Sequence, residues 1–232
     1  MLLFLKHAAM RRISVAAFLC LALLPATIRA LEATQQEYQA AVRSQPDLQH
    51  GEELFRNCVA CHGTTGEGRQ DGTVPRIAGQ HFRVLVKQLA NYRHGTRWDI
   101  RMEHVAGHDL LANPQAIADV ASWVSQLDVR LPPGMGNGDL VGHGARLYAA
   151  RCRSCHGKSG EGDANELVPR VAGQHYQYLL RQMHDAVENR RPTFSRSHVQ
   201  MLASLERDDF LGLADFLSRT PWADAAPTRI DH

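Results

Sequence analysis

Two cysteines, two residues apart and followed at once by a histidine, occur twice in the chain: Cys58-Val59-Ala60-Cys61-His62 and Cys152-Arg153-Ser154-Cys155-His156. Two thiols at this spacing can add across the two vinyl groups on one edge of a porphyrin. The histidine that follows is placed to turn back under the ring and ligate iron. This is the c-type haem attachment pattern. A redox dithiol would want a βαβ setting, and the sequence has no alternating strand pattern of useful length. A four-cysteine zinc site would have to join the two pairs, yet each pair repeats its own histidine. Two covalently bound haem c groups are therefore expected, anchored by Cys58, Cys61, Cys152 and Cys155, with His62 and His156 as the proximal iron ligands.

The two motifs lie in a tandem repeat of offset 94. The register runs on without a gap through Gly66-Glu67-Gly68 and Gly160-Glu161-Gly162. It continues through Val74-Pro75-Arg76 and Val168-Pro169-Arg170, then Ala78-Gly79-Gln80-His81 and Ala172-Gly173-Gln174-His175. Between 58–88 and 152–182, 16 of 31 positions are identical, so the chain carries two homologous modules.

Each motif needs helices to hold it. Glu52 to Arg56 and Ala145 to Arg151 read as helices leading into the cysteine pairs. His81 to Tyr92 and His175 to Val187 carry apolar residues at three-to-four spacing, and last helices are expected at about Pro114–Leu127 and Arg207–Ser218. Asn113-Pro114 is a cap followed by a first-turn proline. The fold class expected is all-α: two small helical bundles, each around one haem. Leu131-Pro132-Pro133-Gly134-Met135-Gly136-Asn137-Gly138 breaks any helix and reads as the linker. The domains expected are 31–130 and 139–220, with a tail at 221–232. Phe55, Trp123, Tyr148 and Phe216 are expected to pack where first and last helices cross. His81 and His175 stand at helix starts and read as capping or surface residues.

Residues 1–30 hold Lys6, Arg11, Arg12 and Arg29, no acid, and the apolar run Ile13–Leu24. That run is short for a bilayer span, Pro25 breaks it, and Ala30 closes a cleavage site with Ile28 two positions earlier. The layout is that of an export signal, starting at Met1 or at Met10. Its removal turns a net charge of +2 into −2, since 22 basic residues then face 24 acids. No basic stripe suggests nucleic acid. The ordinary apolar share, 44%, excludes a disordered chain. Of the five cysteines only Cys20 falls outside the motifs, in the leader.

The motifs, with Pro75-Arg76-Ile77-Ala78-Gly79-Gln80 and its copy at 169–174, Gln88-Leu89, Gln182-Met183 and Gly95-Thr96-Arg97, resemble dihaem class I cytochromes c of the c4 type over about residues 48–220. The resemblance implies two tandem class I domains in one periplasmic electron carrier. It also implies that the Pro75 and Pro169 carbonyls accept a hydrogen bond from the rings of His62 and His156. Arg76, Arg170, Arg190 and Arg191 are candidates to meet haem propionates.

The family normally places methionine on the far side of each iron, and here the repeat register disagrees. Met102 lies opposite Arg196 and Met201 opposite Gly107, whereas His104-Val105 aligns with His198-Val199. His198 precedes Phe216 by 18 residues, the spacing that the resemblance gives the axial residue; His104 precedes Trp123 by 19. His104 and His198 are the favoured sixth ligands, with Met102 and Met201 the alternatives. A second imidazole in place of a thioether lowers the potential.

The function expected is transfer of single electrons between redox partners of a respiratory chain, in the periplasm, with a membrane-bound oxidase or reductase as a partner and peripheral membrane contact. The alternative is a dihaem oxidoreductase, or a cytochrome subunit of a periplasmic enzyme acting on a small sulfur or nitrogen compound. That would need an exchangeable iron position.

Overall fold

The computed structural model describes residues 25–128 and 131–221. The expected leader up to residue 24, both candidate start residues and the tail from 222 lie outside that range. The described residues form ten helices: α1 Ala26–Arg43, α2 Leu48–His62, α3 Phe82–Arg93, α4 Ile100–Ala106, α5 Pro114–Gln126, α6 Val141–Arg151, α7 Arg153–His156, α8 Tyr176–Val187, α9 Arg196–Ala203 and α10 Arg207–Arg219. The fold is all-α; apart from helices the described residues contain one isolated antiparallel bridge, Asp163 with Val168. None of the described helices is long and apolar enough to cross a membrane.

Short polar side chains start these helices by satisfying first-turn N–H groups. Asp47 accepts from Gln49 and His50, Asp99 from Arg101 and Met102, Asn113 from Ala116 and Ser195 from His198. Glu206 and Asp209 form a reciprocal capping box on α10.

In each module the first and last helices cross closely: α2 on α5, and α6 on α10. Glycine permits the approach. A Cβ on Gly51 would stand 2.2 Å from the Asp119 carbonyl oxygen, and one on Gly144 would stand 1.9 Å from that of Gly212. Around the first crossing Phe55, Leu85, Val86, Ile117, Val120 and Val124 make one core, with Trp123 against it. Around the second, Tyr148, Leu179, Leu213 and Leu217 make the other, and Tyr148 packs on Phe216 with ring centroids 5.4 Å apart. All four aromatic residues thus pack as their positions predict.

Each crossing is braced by a buried carboxylate from its last helix. Asp119 accepts from the Asp47 N–H at 2.8 Å and from Gln115, and meets His50. Asp215 accepts from the Gly136 and Gly138 N–H groups at 3.1 and 2.7 Å and from Arg219. The second set ties the linker to the second module.

Helix α1 was not expected. It packs across α3 and α5, burying Thr34, Tyr38 and Ala41. Glu37 pairs with Arg93 at 2.6 Å, nearly out of solvent, and with His94. Its first turns contain residues 26–30, which the sequence assigns to the end of the leader.

Candidate functional site

The cysteine pairs sit at the ends of the first helices. Cys58 and Cys152 are half-buried against the cores, whereas Cys61 and Cys155 are exposed. As free thiols, Cys58 and Cys152 are pushed up to about 11 by burial, with Cys61 adding to the first and Arg151 opposing the second. In the first module α2 runs unbroken to His62. In the second the helix breaks at Cys152 and α7 carries Cys155 and His156.

The His62 ring donates from Nδ1 to the Pro75 carbonyl at 3.0 Å, and the His156 ring from Nδ1 to that of Pro169 at 3.3 Å. Fixing Nδ1 as the protonated nitrogen leaves Nε2 with its lone pair for a metal, the usual arrangement behind a ligating imidazole. Burial holds both rings below the ordinary histidine value, with the carbonyl bond opposing it. The neutral form that can ligate is therefore favoured.

On the far side the modules differ. His198, on α9, is half-buried and faces His156 with ring centroids 6.0 Å apart. Metal–imidazole bonds run about 2 Å each, and each centroid stands a ring radius further back, so this separation suits one metal between two facing imidazoles. Met201 lies one turn further along the same helix, half-buried. In the first module His104 is exposed, and Met102 on the same short helix α4 is half-buried. The charges of Arg101 and Asp99 at the start of that helix are felt at the His62 ring.

The repeated segment after each motif joins the modules instead of capping helices. Gln174 Oε1 accepts the Arg76 N–H at 2.9 Å, and Gln80 Oε1 accepts the Arg170 N–H at 2.9 Å. Each glutamine amide donates back, Gln174 to the Arg76 carbonyl and Gln80 to that of Arg170. His81 Nε2 meets the Glu161 carbonyl, and His175 Nε2 meets that of Glu67, both at 2.8 Å. Both stand at the N-cap position but neither side chain makes a capping bond, so the expected capping or surface role gives way to a clasp between modules. The Arg76 side chain also donates to the Gly173 and Leu131 carbonyls.

Deeper in the same interface lies a square of four side chains related by the 94-residue offset. Gln88 accepts from Arg97 at 2.7 Å and from Arg191 at 3.0 Å; Gln182 accepts from the same two at 2.8 Å each. Arg97 also donates to Tyr178 at 2.9 Å. Burial, then the charge of Arg97, pushes Arg191 down to about 10. Arg190, beside it, is exposed and pairs with Asp185 and Glu188. The register that aligns the cysteine motifs also aligns Arg97 with Arg191, so the pairing was marked in the sequence.

Comparison with known proteins agrees with this geometry. The cytochrome c family model matches residues 48–128 and again 141–220. Cytochrome c4 from Pseudomonas aeruginosa is 28% identical over 183 residues, covering 74% of this chain and 87% of that one. A thiosulfate dehydrogenase electron acceptor from Thiomonas intermedia is 29% identical over 139 residues, covering 55% of this chain and 61% of its own length. The crystal structure of reduced cytochrome c4 from Pseudomonas stutzeri has the same fold, with a TM-score of 0.68 at 24% identity, covering 76% of this chain and all of that one. The chain belongs to the cytochrome c family, as a dihaem, cytochrome c4-like electron carrier with two covalently bound haem c groups.

Proposed function

We propose that this is a periplasmic carrier with two unlike haems: His62 and Met102 ligate the first iron, His156 and His198 the second. The observation that carries the reading is the His156–His198 ring pair 6.0 Å apart. At the first haem we choose Met102 over the register-favoured His104, because Met102 is half-buried and His104 exposed. Cys58, Cys61, Cys152 and Cys155 hold the two porphyrins, and the Pro75 and Pro169 carbonyls orient the proximal rings. The haem supplies one-electron exchange between ferric and ferrous iron. The chain's own residues hold the rings, exclude water on the core side and place buried positive charge, Arg97 and Arg191, where haem carboxylates can be met.

Unlike ligands separate the two potentials. Imidazole favours ferric iron more than thioether does, so the second haem is the lower of the two. The site held by His62 and Met102 would then be the one that retains an electron, and the chain would pass single electrons onward to a respiratory oxidase or reductase. The similarity to acceptors for a thiosulfate dehydrogenase supports a periplasmic enzyme that oxidises an inorganic sulfur compound as the donor. Docking would be brief and through a small interface.

A potentiometric titration followed optically tests this. Two separate waves are expected, and the weak far-red band of a thioether–iron bond should belong to the higher wave at one equivalent per protein. Two equivalents of that band would overturn the unlike-ligand reading. Rapid stoichiometric carbon monoxide binding by the ferrous protein would instead favour a catalytic role.

A further inference from the structure

The candidate sixth ligand of the second haem does not stand on its own helix alone. Phe194 precedes α9, and its ring meets the His198 ring edge-on, with centroids 5.0 Å apart and planes at 67°. The Arg191 guanidinium lies over the Phe194 ring, 4.6 Å from its centroid. Arg191 in turn is fixed from two directions. Nη1 donates to Gln182 of its own module, and Nη2 crosses the interface to Gln88 of the other. A turn closed by the Phe194 N–H on the Arg191 carbonyl keeps guanidinium and ring together. At the other end of the stack, the Ser195 hydroxyl accepts the His198 N–H and sets the start of α9.

We propose that Phe194 and Arg191 are positioning residues that set the plane of the His198 imidazole, so that the first module, through Gln88, governs the ligand field of the second haem. The inference rests on the reading of His198 as that haem's far-side ligand. Its physical basis is that an imidazole is free to rotate about its bond to a metal unless neighbours fix it. The Phe194 ring against His198 is tied to the neighbouring module through Arg191 and Gln88. An aromatic edge-to-face pair is directional, and a guanidinium on an aromatic face is held from behind by its own hydrogen bonds. In the first module the residue in register with Phe194 is Ile100, which is exposed and carries no ring.

The test uses the full-length dihaem protein and reads the low-spin ferric EPR signal of each haem, the second haem's potential, and the rate of cyanide entry. Phe194→Ala should move and broaden the second haem's signal, shift its potential, and speed cyanide entry up to roughly tenfold, the worth of one aromatic pair. The first haem's signal should stay in place. Phe194→Tyr, which keeps the ring, should restore all three readouts. Gln88→Leu, a change wholly within the first module, should shift the second haem's signal in the same sense. Phe194→Leu keeps apolar bulk without a ring and covers the case in which the alanine variant fails to fold. Unchanged second-haem spectra in the alanine or leucine variant and in Gln88→Leu would overturn the positioning role. A wild-type protein whose second haem lacks a bis-imidazole signal, or keeps it in His198→Ala, would overturn the underlying ligand assignment instead.

Discussion

His175 Nε2 donates to the Glu67 carbonyl of the other module across 2.8 Å, while its Nδ1 accepts the Gly134 N–H of the linker at 3.0 Å. The ring is therefore held as one neutral tautomer, accepting on one side and donating on the other. Protonation at Nδ1 would turn that acceptor into a donor facing a donor.

The clasp should thus weaken in acid. Burial holds His175 below its ordinary value, with the Glu67 bond opposing that; facing charges enter from Arg76, which lowers it further, and Asp71, which raises it. The unfolded chain takes up its proton first, near pH 6.5, so stability from this ring is present above that pH and falls as pH drops toward the folded value. The slope is at most about 1.4 kcal/mol per pH unit for one proton. His175→Gln, which can still donate to Glu67, should flatten the fall. Urea midpoints at pH 7.5 and pH 5 for the two proteins check this; an equal drop in both would refute it.

Asp215 accepts the Gly136 and Gly138 N–H groups of the linker. Asp215→Ala strands two partly buried donors at once. A loss of about 2–4 kcal/mol is expected in chemical denaturation, with faster proteolysis in 131–138.

Gly144→Ala places a methyl group 1.9 Å from a backbone oxygen of the crossing helix. Backbone cannot swing aside as a side-chain tip can, so α6 and α10 must separate. Destabilisation at the upper end of about 1–3 kcal/mol is expected. Gly142→Ala is the control: its Cβ would meet only the end of the Arg146 side chain, at 3.7 Å, and the melting temperature should scarcely move.

Glu37→Ala removes the carboxylate from a buried pair and leaves Arg93 charged among the Ala106 and Leu111 carbonyls. About 3 kcal/mol should be lost, and protease cutting should concentrate in α1. Glu37→Gln, which keeps a hydrogen-bond acceptor, should lose less.

Chemistry with fixed covalent spacing was the most legible part of the sequence. Cys58, Cys61 and His62 announce a haem without any fold, and the 94-residue offset announces the second. Amphipathic helices of twelve or thirteen residues, such as α3, α8 and α10, were legible from periodicity. Helix α4, seven residues long, offers too few turns for a pattern, and which of Met102 and His104 points inward depends on the angle at which one turn is set down. Helix α1 was hidden because its start adjoins a leader-like segment, and because a pair such as Glu37 with Arg93 spans 56 residues. The clasp was hidden for another reason. Repetition marks His81 and His175 as equivalent, yet it is silent on whether equivalent residues face solvent or each other.

They face each other's modules, and that has a consequence for how the protein arose. Arg76 meets Gln174 as Arg170 meets Gln80; Gln88 and Gln182 share the same two arginines. In these bonds each contact has a mirror in which the modules exchange roles, whereas Arg97 to Tyr178 has none, since Val84 stands in register with Tyr178. One module alone therefore already carries a self-complementary surface, and two copies of it would close as an isologous pair. The linker joins the ends of what is, in these contacts, a two-fold pair, and a single chain lets each half carry residues that the other lacks. The exposed His104 and inward His198 are one place where the halves differ.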